Sequence, residues 1–267
     1  MKLFYSLLLS ASALLAYNDA DMDGVEDAYD QCPNTSFEEL VDINGCPQSL
    51  QTPHHFDVIF GLNYASSNYA DNLKSDTYTG SLQLDYYYRN FSLQASTSYY
   101  EAQNTSYSDN GLNDSFLGAS YKFEPSQNLS LRVGGGMILP SYDTELQNNN
   151  TDYMGSVQLS YQLESVNVFG SYSHTLIGDD DIADVVLYQD TNAFSLGLGI
   201  YPSEKLYLSG AYNKGESIYK GVEDIQTLSV YGFYAIDANY FTTFSYALGM
   251  SDSASDNALS LRIGYYF

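Results

Sequence analysis

The stretch ALSLRIGYYF, residues 258–267, decides the fold. Successive side chains of an extended strand point to opposite faces. Leu259, Leu261, Ile263, Tyr265 and Phe267 therefore share one face, and Ala258, Ser260, Arg262, Gly264 and Tyr266 the other. The first face is wholly apolar or aromatic; the second is mostly small and polar. Working back toward the N-terminus, the same two-faced pattern recurs as far as His55, in segments of roughly ten residues separated by turn residues, which is the pattern of membrane-crossing β-strands. Twelve are predicted: 55–69, 77–89, 91–103, 115–124, 129–142, 151–163, 166–177, 191–202, 206–216, 225–236, 240–251 and 258–267. A different reading of 178–190 or 217–224 gives ten or fourteen.

The joints alternate in length. Tight ones fall at Arg89–Asn90, Glu124–Asn128, Glu164–Ser165, Pro202–Lys205 and Asp237–Asn239; longer ones fall at 70–76, 104–114, 143–150, 178–190, 217–224 and 252–257. Short turns on one rim, long loops on the other and an even strand count suit a sheet closed without edges. The expected fold is all-β, a transmembrane antiparallel up-and-down β-barrel of about 12 strands over residues 51–267, with both barrel ends in the periplasm. The stretches beginning at Ser81 (SLQLDYYYRNFSLQAS), Ser156 (SVQLSYQLESVNVFGSY) and Ser195 (SLGLGIYPSEKLYLSGAY) each read strand, tight turn, strand. They are hairpin units of one barrel rather than solenoid repeats.

Composition narrows the class. The 267 residues include 9 Lys plus Arg, 33 Asp plus Glu, 28 Tyr, 13 Phe and no Trp, for a net charge of −24. Mean hydropathy is −0.26. A polytopic helical membrane protein would be apolar with basic loops. Nine scattered cations make no basic stripe, so no nucleic-acid partner is expected. A disordered acidic chain would not hold so many aromatic residues.

Alternation also assigns the faces. The lipid side holds Phe56, Val58, Phe60 and Leu62; Leu82, Leu84 and Tyr86; Leu129, Leu131 and Val133; and Phe194, Leu196, Leu198 and Ile200. Tyr64, Tyr86, Tyr88, Tyr99, Tyr121, Tyr153, Tyr161 and Tyr265 lie near strand ends, as an aromatic girdle at the membrane interface requires. The inner side is small and polar, with Gln83, Gln94, Ser130, Gly134, Gly136, Gln158, Ser160 and Ser195 among its residues and few charges: Asp57 and Asp85 against Lys122, Arg132 and Arg262. A basic track suited to acidic sugars is absent. Twelve strands tilted about 40° give a backbone diameter of roughly 24 Å, which short side chains leave with a bore of order 10 Å. Tyr87, Phe169, Tyr201, Tyr207, Phe241 and Tyr266 point inward near the short-turn rim, either as a constriction or sugar-stacking ring or as filling at the mouth. The loop GDDDIADVVLYQD at 178–190 carries Asp179, Asp180, Asp181, Asp184 and Asp190. It reads as a solvated loop, or else as a divalent-cation bridge to lipopolysaccharide or a cluster that draws cations to the mouth.

The N-terminus has a different character. MKLFYSLLLSASALLA at 1–16 reads as a secretory signal peptide, with cleavage after Ala16 or, on the A-x-A pattern, after Ala13. Beyond residue 16 no apolar run approaches the ~20 residues of a membrane helix, so membrane residence requires a barrel. Residues 17–50 hold nine acids and no Lys or Arg. Within DADMDGVEDAYD, at 19–30, Asp19, Asp21, Asp23, Asp27 and Asp30 occupy positions 1, 3, 5, 9 and 12 of an oxygen-rich Ca²⁺ loop. Gly24 stands at its turn, and Val25 offers a backbone carbonyl. Cys32 and Cys46, in an oxidising compartment, are expected to pair.

Two resemblances follow from these stretches. DADMDGVEDAYDQCPNT at 19–35 with VDINGCP at 41–47 resembles a thrombospondin type 3 repeat, and the same Cys-Pro ending occurs in linkers of OmpA-like cell-envelope proteins. The resemblance implies a small calcium-binding module over 17–50, with those aspartates as ligands and a Cys32–Cys46 disulfide. It amounts to essentially one repeat. The C-terminal strand resembles that of porin-like outer-membrane proteins of Gram-negative bacteria. There, Leu261, Ile263, Tyr265 and Phe267 would form the signal read by the barrel-assembly machinery.

The expected function is a passive, porin-like channel for small solutes, surrounded by outer-membrane lipid and lipopolysaccharide, with a Ca²⁺-stabilised periplasmic module. The alternative is a non-transporting structural or surface-interaction barrel whose module docks a periplasmic partner. No enzymatic activity is expected: His174, near the loop end of its strand and followed by Asp179–Asp181, is the one constellation to weigh. Alternation turns it toward lipid or the interface, and its context SYSHTLIG matches no barrel lipase or protease. His54 and His55 have no acid–base partner evident in the sequence.

Overall fold

The computed structural model describes residues 25, 30–32, 35, 41, 45–46, 54–68, 74–104, 108–142, 148–182 and 185–267. The signal segment 1–16, the candidate ligands Asp19, Asp21, Asp23 and Asp27, and Asp184 of the acidic loop lie outside the described residues. The chain divides into two units, Met1–Thr52 and Pro53–Phe267.

In the first unit a disulfide joins Cys32 and Cys46. Thr35 lies under it, its hydroxyl donating to the carbonyls of Cys32 and Gly45, both at 2.9 Å. Gly45 has φ 76°, in the left-handed region that a residue without Cβ adopts at little cost.

The second unit is one antiparallel sheet: β1 (His54–Ser67), β2 (Ser75–Tyr88), β3 (Phe91–Gln103), β4 (Ser108–Leu112), β5 (Ser115–Ser126), β6 (Leu129–Leu139), β7 (Asp152–Leu163), β8 (Val166–Leu176), β9 (Thr191–Ser203), β10 (Leu206–Gly215), β11 (Ile225–Ala235), β12 (Tyr240–Gly249) and β13 (Asn257–Tyr266). Each strand pairs with its sequence neighbour, except that β3 pairs with β5 as well as with β4. β1 pairs with both β2 and β13, from Asp57↔Tyr266 to Ser66↔Asn257, and this seam closes the barrel at twelve strands. The backbone N–H of Phe267 extends it by donating to the carbonyl of Phe56 at 2.9 Å. The short β4 corrects the expectation of an irregular 104–114 loop. Tyr99↔Leu112 to Gln103↔Ser108 continue β3 beyond the barrel as a flap, since β5 covers only the other end of β3.

The packing is inverted relative to a soluble domain. Among the described residues the buried apolar side chains are few, namely Ile59, Tyr207, Phe241, Ala254 and Tyr266. The large aliphatic chains point outward, Leu62 at 72%, Leu196 at 63% and Leu198 at 58% exposure. Such an apolar outer surface suits lipid.

At the long-loop rim the outward tyrosines follow a rule. Tyr64, Tyr99, Tyr172, Tyr212 and Tyr246 donate their hydroxyls to Asp76, Asn110, Asn192, Gln226 and Asn257 at 2.5–2.8 Å. In each case the acceptor lies two positions nearer the loops than the tyrosine's cross-strand partner. The ring thus stays on the apolar wall and the hydroxyl is satisfied at the polar edge, which fixes the level of the interface.

The short-turn rim is tight. Arg89 and Glu164 open two-residue turns with φ of 53° and 44°, an uncommon region for non-glycine residues.

The acidic loop is built rather than merely solvated. Asp179 accepts the Asn150 N–H, Asp181 the Tyr188 N–H and Asp190 the Ile177 N–H, at 2.7, 2.7 and 3.0 Å. Lys220 reaches Asp181 at 3.2 Å, and Tyr188 bridges to Tyr219. The loops after β8 and β10 are thereby strapped together. The Tyr188 N–H and then the Lys220 ammonium hold the Asp181 carboxyl below the usual carboxylate range. A lowered folded-state value means that this contribution is present above the unfolded value of about 3.9 and is lost as pH falls through the lower one. Protection of the Tyr188 amide, its exchange rate relative to the intrinsic rate at the same pH, is expected to hold at neutral and mildly acid pH and to fall only under strongly acid conditions. On the barrel wall, Leu198→Arg is expected to destabilise the folded protein in vesicles by about 2–4 kcal/mol, and inward Ser195→Arg by much less. Urea titration followed by the heat-dependent gel shift of folded barrel measures both.

Candidate functional site: the barrel lumen

Inward positions form two unlike arcs. The charged side chains between the rims lie on β13, β1, β2, β5 and β6: Arg262, Asp57, Asp85, Lys122 and Arg132. Inward positions of β7 to β12 carry hydroxyls, amides, glycines, aromatic rings and some aliphatic side chains, Met154, Ala193, Ala211, Ile225 and Ala247 among them; Asp152, at the loop end, is their one charged group.

On the charged arc, Asp57 and Asp85 are directly cross-strand and both buried. The Gln83 amide donates to Asp85 Oδ2 at 2.7 Å, and the Arg262 guanidinium donates in turn to the Gln83 carbonyl oxygen. Lys122 pairs with Glu124 at 3.0 Å, and Arg132 reaches the Ser120 hydroxyl at 3.5 Å. The five predicted charges thus share one side of the wall, an asymmetry that single-strand alternation does not reveal.

On the neutral arc, Asn167 is buried between the Ser160 hydroxyl at 2.7 Å and the Tyr207 hydroxyl at 3.3 Å. Asn213 donates to Ser229 and Thr227 at 2.9 and 3.2 Å. Nearer the loops, Ser171, Ser173, Ser195, Asn213 and Thr227 line a recess of about 220 Å³.

The predicted inward aromatics gather near the short-turn rim, and the structure shows how they are seated. Phe169, Tyr207 and Phe241 lie against Gly197, Gly199 and Gly264 of adjacent strands, where a Cβ would collide with the ring. Each ring therefore lies along the wall. The fit is that of rings paving the lumen, and Tyr231, also inward, keeps 37% of its surface exposed. Phe233 stacks on Phe241 at 5.4 Å, and Tyr201 packs on Tyr207 at 4.9 Å. His55 is sandwiched between Tyr87 and Tyr266, at 4.4 Å from each. His55, Tyr231, Phe233 and Asn167 were not singled out from sequence as lumen groups. Odd-position alternation in β8 and β11 was the available signal for Asn167, Tyr231 and Phe233, and His55 required the β1–β13 register.

His174 faces outward, its Nδ1 3.0 Å from the Asn192 side-chain oxygen that also receives Tyr172. It belongs to the interface belt. In the N-terminal unit, Asp30 accepts the Cys32 N–H at 2.7 Å through Oδ1, and its Oδ2 is buried without a hydrogen-bond partner among the described residues. Among those residues no cluster of three metal-ligating side chains occurs.

A closed twelve-stranded barrel with an apolar exterior and a polar lumen is the architecture of bacterial outer-membrane barrels. The chain belongs to the family described as "Putative MetA-pathway of phenol degradation", whose profile matches residues 41–216. Its fold is similar to an outer membrane channel from Pseudomonas putida F1, with 14% identity, a TM-score of 0.65, and coverage of 80% of this chain and 96% of that one. It is also similar to the NanC porin, at 14% identity and TM-score 0.54, covering 79% and 98%. The translocator domain of the autotransporter NalP from Neisseria meningitidis matches at 11% identity and TM-score 0.52, covering 81% and 88%. No curated protein matches by sequence. These likenesses show the fold, a closed antiparallel barrel of the outer-membrane type.

Gly264→Val is expected to drive the Phe241 ring off the wall and into the bore. Single-channel recording in planar bilayers should show a smaller conductance than wild type, with the barrel still folded.

Proposed function

We propose that the protein is a passive outer-membrane channel for small solutes of weakly polar, ring-bearing chemistry. One observation carries this reading: inward rings are laid flat on glycines along an otherwise hydroxyl- and amide-lined arc, opposite a charged arc. A solute with an aromatic face and a hydroxyl finds stacking partners on one side and hydrogen-bond partners on both. The family's description, which concerns phenol degradation, supports the same class.

In this reading the short turns face the periplasm and the long loops the outside. The apolar wall meets outer-membrane lipid and lipopolysaccharide, and the barrel-assembly machinery reads Leu261, Ile263, Tyr265 and Phe267. Residues 17–50 act as a periplasmic module closed by the Cys32–Cys46 disulfide. There Asp19, Asp21, Asp23, Asp27, Asp30 and the Val25 carbonyl hold Ca²⁺, and the second oxygen of Asp30 suits that role.

Two experiments separate the parts. In liposome swelling, phenol-sized ring compounds should enter faster than sugars of similar mass, and a barrel that swells with neither is a structural one. A Glu-specific protease should cut at Glu26, Glu38 and Glu39 readily in chelator and slowly in Ca²⁺; equal cutting in both removes the calcium module and leaves the channel reading intact.

A further inference from the structure

Among the described residues the acid pair in the lumen forms no direct ion pair. Asp57 is 9% exposed and Asp85 5%, so both are more than nine-tenths buried. They face each other across the β1–β2 ladder on the inner wall. Oδ1 of each has no hydrogen-bond partner among the described residues. Arg262, the cation nearest in register, donates through one nitrogen to Gln83, and among the described residues no hydrogen bond joins it to either carboxylate. Among the described residues neither acid takes part in an ion pair, although Arg262 and Arg132 lie within electrostatic reach of Asp85. Two side-by-side carboxylates with free oxygens are costly unless a positive charge joins them. Hard cations are the ligands that oxygen pairs of this kind accept.

The loop rim reinforces this. Its lysines are already engaged: Lys74 with Asp76 at 3.3 Å, Lys214 with Asp224 at 2.8 Å and Lys220 with Asp181 at 3.2 Å. An entrance whose cations are neutralised, on a chain of net charge −24, draws in cations and repels anions.

We propose that Asp57 and Asp85 form a binding site for a hard cation in the lumen wall, and that this site makes the lumen select cations over anions. The first part stands on the geometry of the pair; the second rests on the channel reading. Gln83 presents the site by holding Asp85 Oδ2, and its link to Arg262 keeps the guanidinium from closing on the carboxylates.

Terbium(III), an oxygen-seeking ion whose luminescence nearby tyrosines sensitise, tests the site on the full chain folded in detergent. The wild type should bind one more ion than D57N/D85N, with Tyr266 and Tyr87 close enough to sensitise it. Equal stoichiometry in the two proteins overturns the site and means that the pair holds a proton instead. The single variants D57N and D85N serve if the double variant fails to show the heat-dependent gel shift of a folded barrel, and each should weaken the signal. In a KCl gradient across a planar bilayer, the wild-type reversal potential should lie toward that of K⁺ and move toward zero in D57N/D85N. Anion preference, or an unchanged potential, overturns the selectivity. A barrel that binds the extra terbium ion without conducting overturns the channel reading and leaves the site standing.

Discussion

Everything in this structure depends on the seam between β1 and β13. A strand in hydrocarbon cannot leave its N–H and C=O groups unpaired, because no water is there to take them. An open sheet of twelve strands would expose two such edges. The register from Asp57↔Tyr266 to Ser66↔Asn257 removes both at once. It also sets which residues meet inside. Asp57 meets Asp85 through the first hairpin and Tyr266 through the seam, and His55 enters its sandwich because Tyr87 arrives from β2 and Tyr266 from β13.

Closure turns the ordinary distribution of side chains inside out. The hydrophobic effect does not hold this barrel around an apolar core; leucines on the outside prefer lipid, and the inside is free to be wet. The inside is then built from short residues, with bulk admitted where a neighbouring glycine makes room. Phe169, Tyr207 and Phe241 use that room. Rings seated in this way lie along the wall rather than across it, the feature on which the proposed passage for ring-bearing solutes rests. The charges on the opposite arc supply a transverse field and polar partners.

The long-loop rim shows a second division of labour. The tyrosines that reach Asp76, Asn110, Asn192, Gln226 and Asn257 mark the boundary between lipid and water, while acids just beyond them fasten the loops by accepting backbone N–H groups. Sequence alternation placed two of these tyrosines, Tyr64 and Tyr99, in a girdle. It could not supply their acceptors, which sit two positions away on the next strand. The same limit explains the acidic loop: Asp179, Asp181 and Asp190 read as a solvated run along the chain, yet each is spent on an amide that only the fold brings near. β4 escaped for a related reason. Its five residues gain strand character from pairing with the projecting end of β3, not from their own alternation.

Local alternation by itself determined that the chain crosses a membrane as strands, where each of the twelve barrel strands runs, and which face of each meets lipid, because the two-residue period is a property of the backbone and needs no partner. The inward set Asp57, Asp85, Lys122, Arg132 and Arg262 followed from that period alone. Tertiary structure decided how those side chains group around the circumference: the charges gathered on β13, β1, β2, β5 and β6, the rings over glycines of adjacent strands, and two aspartates left facing each other. Such groupings depend on the register between strands, which hydrogen bonding across the closed sheet fixes and which no single strand encodes.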